Sequence, residues 1–152
     1  NNKDELCMQR NIDEVEKVLN KHIDKIVHDY EIKLIYIFGS YAKGENRADS
    51  DLDIAMYFDR EVDGFVKLDI LDELVGIFNR EDIDLVILNN VDEVLKFQVI
   101  KYGKLVYMED LVTKVTFESK VMSEYMDMEY FREVRNKYSH KRFLEVMNDS
   151  QS

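Results

Sequence analysis

Two short runs of strand-forming residues, Lys33 to Phe38 (KLIYIF) and Asp51 to Phe58 (DLDIAMYF), bracket a polar loop that opens on Gly39-Ser40. β-Branched and aromatic residues dominate the first run, as strands favour, and in the second Asp51, Asp53 and Ala55 share one face and Leu52, Ile54 and Met56 the other. A third run, Ile83 to Leu88 (IDLVIL), follows a helical segment, Val66 to Asn79, in which Leu68, Leu71, Leu74, Val75 and Phe78 share one side. Strands that alternate with helices in this way bury a sheet under helices. The expected class is therefore α/β (α+β), a small mixed sheet with flanking helices.

The remaining elements fit that plan. Residues 12–30 space Ile12, Val15, Val18, Leu19, Ile23, Ile26 and Val27 as one amphipathic helix. Asp92 to Tyr102 reads as a helix with Gly103 as its C-cap, and Leu105 to Tyr107 as a short edge strand. A long, highly charged helix is expected from Leu111 to about Met147, with an imperfect apolar stripe through Val115, Phe117, Val121, Met122, Tyr125, Met126, Met128 and Phe131. The chain has no proline, five glycines and no repeat or low-complexity tract. The expected division is a domain over residues 1–110 and a C-terminal helical extension over 111–152.

Charge narrows the partners. The formal net charge is −11, which repels a nucleic-acid backbone at long range. The expectation is no direct nucleic acid, and nucleotides handled singly with divalent cations. No stretch approaches the ~18 apolar residues that span a bilayer, so no membrane association is expected. The opening NNKDELCMQR lacks a secretory layout, and the first residue is Asn1 rather than Met, which leaves the natural start open. Cys7 is the only cysteine. It forms neither an internal disulfide nor a cysteine-based zinc site, and a reducing cytoplasm is the expected setting.

The chemistry concentrates in Phe38 to Ile54, FGSYAKGENRADSDLDI. Asp51 and Asp53 alternate along a strand, so their carboxylates point one way, about 6.5–7 Å apart along the backbone. Two such charges side by side are costly without a cation between them. Paired hard oxygens suit Mg²⁺ shared with substrate phosphates. Two such ions activate an attacking oxygen and stabilise a leaving pyrophosphate. Gly39 allows close backbone approach to a phosphate. Ser40 is a candidate helix cap or hydroxyl donor to a phosphate oxygen. Asp84, on the next strand, is a candidate third carboxylate for a metal or for the proton of an attacking hydroxyl, with Asp82 as competitor.

These residues resemble the DNA polymerase β-type nucleotidyltransferase superfamily, whose pattern is Gly-Ser, a spacer, Asp-x-Asp and a later Asp. More closely, the chain resembles the minimal nucleotidyltransferase (MNT) antitoxins of the MntA family. KLIYIFGSYAKG, DSDLDIAMYF, EDIDLVILNN, LKFQVIKYGKLVY and FESKVMSEYMDMEYF stand in that family's order. The resemblance implies a polymerase β-type fold and a protein adenylyltransferase acting as antitoxin. It implies transfer of AMP from ATP, with two Mg²⁺ ions, to a tyrosine of a HEPN-domain ribonuclease toxin. Asp51, Asp53 and Asp84 map to the catalytic, metal-holding carboxylates, and Gly39 and Ser40 to the nucleotide cradle. Lys43 stands where the family usually has Arg, so no contact is assigned to it.

Two other functions compete. One is nucleotidyl transfer to a small polycation of the aminoglycoside type, which the acidic surface suits. The other is an antitoxin that acts by occlusion without catalysis. Lys43 and Arg47 are read as solvent-facing loop residues, and Cys7, His22 and His28 as structural or surface residues. Arg135 and His140 reproduce an Arg-x4-His spacing found in HEPN ribonucleases, but a HEPN domain needs a bundle of about four helices. The spacing is read as coincidence.

Overall fold

A computed structural model describes residues 11–149, so Cys7 lies outside the described residues. The elements are α1 (Ile12–Asn20), α2 (Ile23–Tyr30), β1 (Leu34–Phe38), α3 (Gly39–Lys43), β2 (Leu52–Tyr57), α4 (Gly64–Phe78), β3 (Ile83–Ile87), a 3₁₀ turn (Leu88–Asn90), α5 (Glu93–Tyr102), β4 (Lys104–Met108) and α6 (Leu111–Asp149). The four strands form one sheet in the order β3-β2-β1-β4. β1 runs antiparallel to β2 and β4, and β2 runs parallel to β3. The sheet is mixed, as the sequence predicts.

Alternation along the strands divides two cores. Ile35 and Ile37 of β1 join Leu52, Ile54 and Met56 of β2 on one face, where Val15, Leu19, Ile26, Ile70, Leu74 and Phe78 of α1, α2 and α4 cover them. Leu34, Tyr36 and Ala55 point to the other face and meet Val99 of α5 and Phe117 and Val121 of α6. The central strands are covered on both sides, so their burial is nearly continuous rather than alternating. Each fully buried aliphatic side chain contributes roughly 1.5–3 kcal/mol.

Caps explain the helix bounds. α4 starts at Gly64, two residues before the expected position, because the Asp63 carboxylate accepts the Val66 N–H at 2.9 Å. Leu68 is 62% exposed, so it stands off the predicted apolar side, and Ile70 takes the buried place. Gly103 does cap α5, its N–H donating to the Val99 carbonyl at 2.8 Å. It does so in an extended conformation rather than a left-handed one. Glycine is required there by crowding, since a Cβ would collide with the Val99 carbonyl oxygen. The single helix expected over 12–30 is two helices broken at Lys21-His22. The bend lets Val15, Leu19 and Ile26 all reach the same core, and no proline or glycine marks it in the sequence.

α6 has two parts with different surroundings. Asp110 caps its start by accepting the Thr113 N–H at 2.7 Å. Phe117 stacks on Tyr57 at 4.3 Å, Tyr125 stacks on Phe97 at 3.9 Å, and the Tyr36 hydroxyl donates to Glu118 at 2.9 Å. Burial and that hydrogen bond push the Tyr36 phenol well above its ordinary pKa. From Tyr130 to Asp149 every residue is exposed. No helix among the described residues is long and apolar enough to cross a membrane.

Candidate active site

The Gly39-Ser40 segment and the aspartates meet at one end of the sheet. β1 ends with Phe38 opposite Asp53 of β2, and β2 places Asp53 opposite Asp84 of β3. Asp53 shares its strand face with Ala55 and Tyr57, which is the face under α5 and α6. Asp51 stands immediately before β2, which begins at Leu52, rather than within the strand as the sequence pattern predicts. The parallel ladder to β3 starts only at Leu52, whose N–H donates to the Asp82 carbonyl at 2.9 Å.

Gly39 leaves β1 with φ +70°. A Cβ at this position would overlap the Oδ2 atom of Asp53. Both the left-handed backbone and the carboxylate against it require glycine. Ser40 lies in the first turn of α3, not at its cap. The N-cap is Phe38, whose side chain makes no capping bond. The Ser40 carbonyl accepts the Glu45 N–H at 2.9 Å, which closes α3 into the following loop.

Asp53 is half-buried, whereas Asp51 and Asp84 are exposed. The Asp53 carboxyl is pushed up to about 6, first by burial, then by the charge of Asp84 and then by that of Asp51. The three groups thus share one electrostatic field. Among the described residues no three His, Cys, Asp or Glu side chains close into a ready-made metal cage. An open set of hard oxygens still fits Mg²⁺, which takes one or two carboxylates and completes its shell with phosphate oxygens and water. Mutual repulsion around Asp53 is what such a cation would relieve.

Asp82, the competitor of Asp84, is engaged elsewhere. Its carboxylate is gripped by Arg80, which holds its pKa below the ordinary value. Arg80 also reaches the Tyr41 hydroxyl and the Ser50 carbonyl. Neither Arg80 nor Tyr41 stands out in the sequence. The available signal was the close spacing of Arg80 and Asp82 just ahead of β3. Lys43 and Arg47 are exposed, and His22 and His28 sit exposed at α2, on the face opposite Asp53. Arg135 and His140 are exposed on the distal part of α6, where no other helix covers them among the described residues.

The polymerase beta nucleotidyltransferase family model matches residues 20–111. The protein adenylyltransferase MntA of Thermococcus cleftensis is 32% identical over 75 residues, which cover 49% of this chain and 75% of that protein. A crystal structure of a toxin-antitoxin with AMP-PNP matches with TM-score 0.64 and 29% identity, over 75% of this chain and 92% of that chain. A tri-AMPylated Shewanella oneidensis HEPN toxin in complex with MNT antitoxin matches with TM-score 0.62 and 26% identity, over 78% of this chain and 93% of that chain. This chain belongs to the polymerase beta nucleotidyltransferase family, within the branch of MntA protein adenylyltransferases.

Proposed function

We propose that this chain is an antitoxin that transfers AMP from ATP to a tyrosine hydroxyl of a cognate HEPN-domain toxin and thereby silences it. The observation that carries the reading is Asp53, wedged between Gly39 and Asp84, in a chain whose structural relatives include an AMPylated HEPN toxin bound to its MNT antitoxin. The acceptor oxygen forms a bond to the α-phosphorus, and the bond to pyrophosphate breaks. Asp84 accepts the hydroxyl proton. Gly39 and Ser40 bring backbone and hydroxyl donors to the phosphates. Asp51, Asp53 and Asp84 would hold two Mg²⁺ ions, whose chemistry would be to offset the charge on the phosphates and on the departing pyrophosphate.

Under this reading the transfer unit is residues 1–110 and the toxin-docking extension is 111–152. Met126, Phe131 and Tyr138 of α6 are 59%, 70% and 66% exposed, which supports an apolar docking surface. The acidic surface speeds encounter with a basic ribonuclease. The setting is the cytoplasm, with no membrane and no direct nucleic-acid contact.

The same exposed residues favour a second reading, occlusion of the toxin by binding alone. Mass spectrometry of the purified partner after incubation with ATP separates the two. AMP additions on tyrosine that need Asp53 and Asp84 and vanish with EDTA support transfer. Tight binding with no added mass under any metal condition leaves occlusion.

A further inference from the structure

Arg80 lies between α4 and β3, with its side chain only 13% exposed. Its guanidinium donates in three directions. Nε and Nη2 pair with the two carboxylate oxygens of Asp82. Nη2 also donates to the Ser50 carbonyl at 2.8 Å, and Nη1 donates to the Tyr41 hydroxyl at 2.7 Å. The guanidinium carbon lies 5.5 Å from the Tyr41 ring centroid.

Each partner belongs to a different segment of the site. Tyr41 follows Ser40 in α3, Ser50 immediately precedes Asp51, and Asp82 lies just ahead of Asp84. Ser50 in turn closes the loop before β2. Its hydroxyl accepts the Arg47 N–H at 2.7 Å, and its own N–H donates to the Arg47 carbonyl at 3.0 Å. The Asp82 carbonyl takes the Leu52 N–H at 2.9 Å, the bond that opens the ladder pairing Asp53 with Asp84. One side chain therefore ties together the three segments that carry Gly39-Ser40, Asp51-Asp53 and Asp84.

We propose that Arg80 is a positioning residue for nucleotidyl transfer, fixing these segments in one geometry without touching the substrate. The inference rests on the assignment of the site given above. A planar fork of five donors reaches a carboxylate, a carbonyl and a hydroxyl at once, whereas an ammonium is a point charge with three donors. Loosening the clamp lets the carboxylates move relative to the phosphate cradle, and a 1 Å misplacement costs roughly a hundredfold in rate.

The test compares Arg80→Ala, Arg80→Lys and Tyr41→Phe with Arg60→Ala in the full chain. Arg60 serves as control because it donates to the Tyr30 carbonyl at 2.9 Å beyond the opposite end of β2. Arg80→Ala should lower kcat for AMP transfer about 10- to 100-fold per folded molecule, with a smaller change in KM for ATP. Arg80→Lys should recover part of the loss. Arg60→Ala should lower Tm and leave kcat unchanged. A fall in Tm with unchanged kcat for Arg80→Ala overturns the proposal. If Arg80→Ala does not fold, Tyr41→Phe cuts one limb and reads the same split; unchanged kcat there overturns the proposal too. If the wild type transfers nothing to its partner, the functional assignment fails by itself, and Mn²⁺ titration in the presence of AMP-PNP then decides the clamp. Weaker Mn²⁺ uptake by Arg80→Ala than by wild type supports it. Equal uptake, or none by wild type, overturns it.

Discussion

Gly39 and Asp53 are packed so closely that a methyl group on Gly39 would occupy the place of the Asp53 Oδ2 atom. Gly39 also has φ +70°. Gly39→Ala should therefore lose more than the about 1–2 kcal/mol of a left-handed alanine, because the carboxylate must also move. The expected result is a lower Tm and a loss of AMP transfer of at least about tenfold in protein that remains folded. Gly44→Ala is the control. Its φ is +69°, but a Cβ there meets nothing within 4 Å. It should show the backbone cost and keep its activity. Equal activity losses in the two variants would show that the Gly39–Asp53 contact is irrelevant.

Asp51→Asn with Asp53→Asn should abolish AMP transfer and leave the circular dichroism spectrum unchanged. Asp51 is exposed and Asp53 is only half-buried, and the amides keep the side-chain volumes. Removing two like charges should raise the Tm of the EDTA-treated protein, because both contribute to the repulsion around Asp53. Transfer at the wild-type rate by this double variant would remove the proposed site.

Ser40→Ala should weaken nucleotide use without the complete loss seen for the aspartates. A hydrogen bond to a charged phosphate contributes about 1.5–3 kcal/mol, which corresponds to roughly a ten- to hundredfold change. Because Phe38, not Ser40, is the N-cap of α3, Tm should hardly change. Steady-state kinetics at varied ATP measures the effect, and wild-type parameters would exclude a role for the hydroxyl.

The Arg80–Asp82 pair gives a pH dependence with a defined sign. Arg80 lowers the Asp82 pKa below its ordinary 3.8 in the folded chain. The folded state then binds fewer protons than the unfolded one, so the stabilisation is complete above about pH 4 and is lost as pH falls through the folded value. Allowing for solvent screening, Asp82→Asn should cost about 1 kcal/mol, or about 2–4 °C in Tm, from pH 5 to 8. The gap between wild type and variant should narrow below about pH 4. A gap that widens in acid would show that the pair is not the source.

Binding should depend on the exposed part of α6. Met126→Ser with Phe131→Ser removes two large apolar side chains that are 59% and 70% exposed. Calorimetry should show weaker toxin binding by about 2 kcal/mol or more, the loss expected for interface anchors. The Tm of the isolated chain should stay within about 2 °C, since surface changes are usually within ±0.5 kcal/mol. Unchanged affinity would place the docking surface elsewhere.

The sequence by itself determined the strands, most of the helices and the pattern that carries the chemistry. Period-two runs such as IDLVIL, stops such as Gly39, and the Gly-Ser to Asp-x-Asp spacing are local features. Local sterics and side-chain chemistry suffice to read them. The break at Lys21-His22 was not legible, because it is decided by where Val15, Leu19 and Ile26 must pack and not by any helix-breaking residue. Gly103 reads as a C-cap and is one, yet its glycine is required by a neighbouring carbonyl oxygen, which no local pattern shows. The sequence favours Asp84 over its competitor Asp82 as the third carboxylate, but the register is tertiary: the parallel pairing of β2 on β3 places Asp84 opposite Asp53 and leaves Asp82 to Arg80. Those outcomes depend on residues distant in sequence meeting across a sheet. Pairing register and side-chain contacts are collective properties of the packed chain, and no local window of sequence contains them.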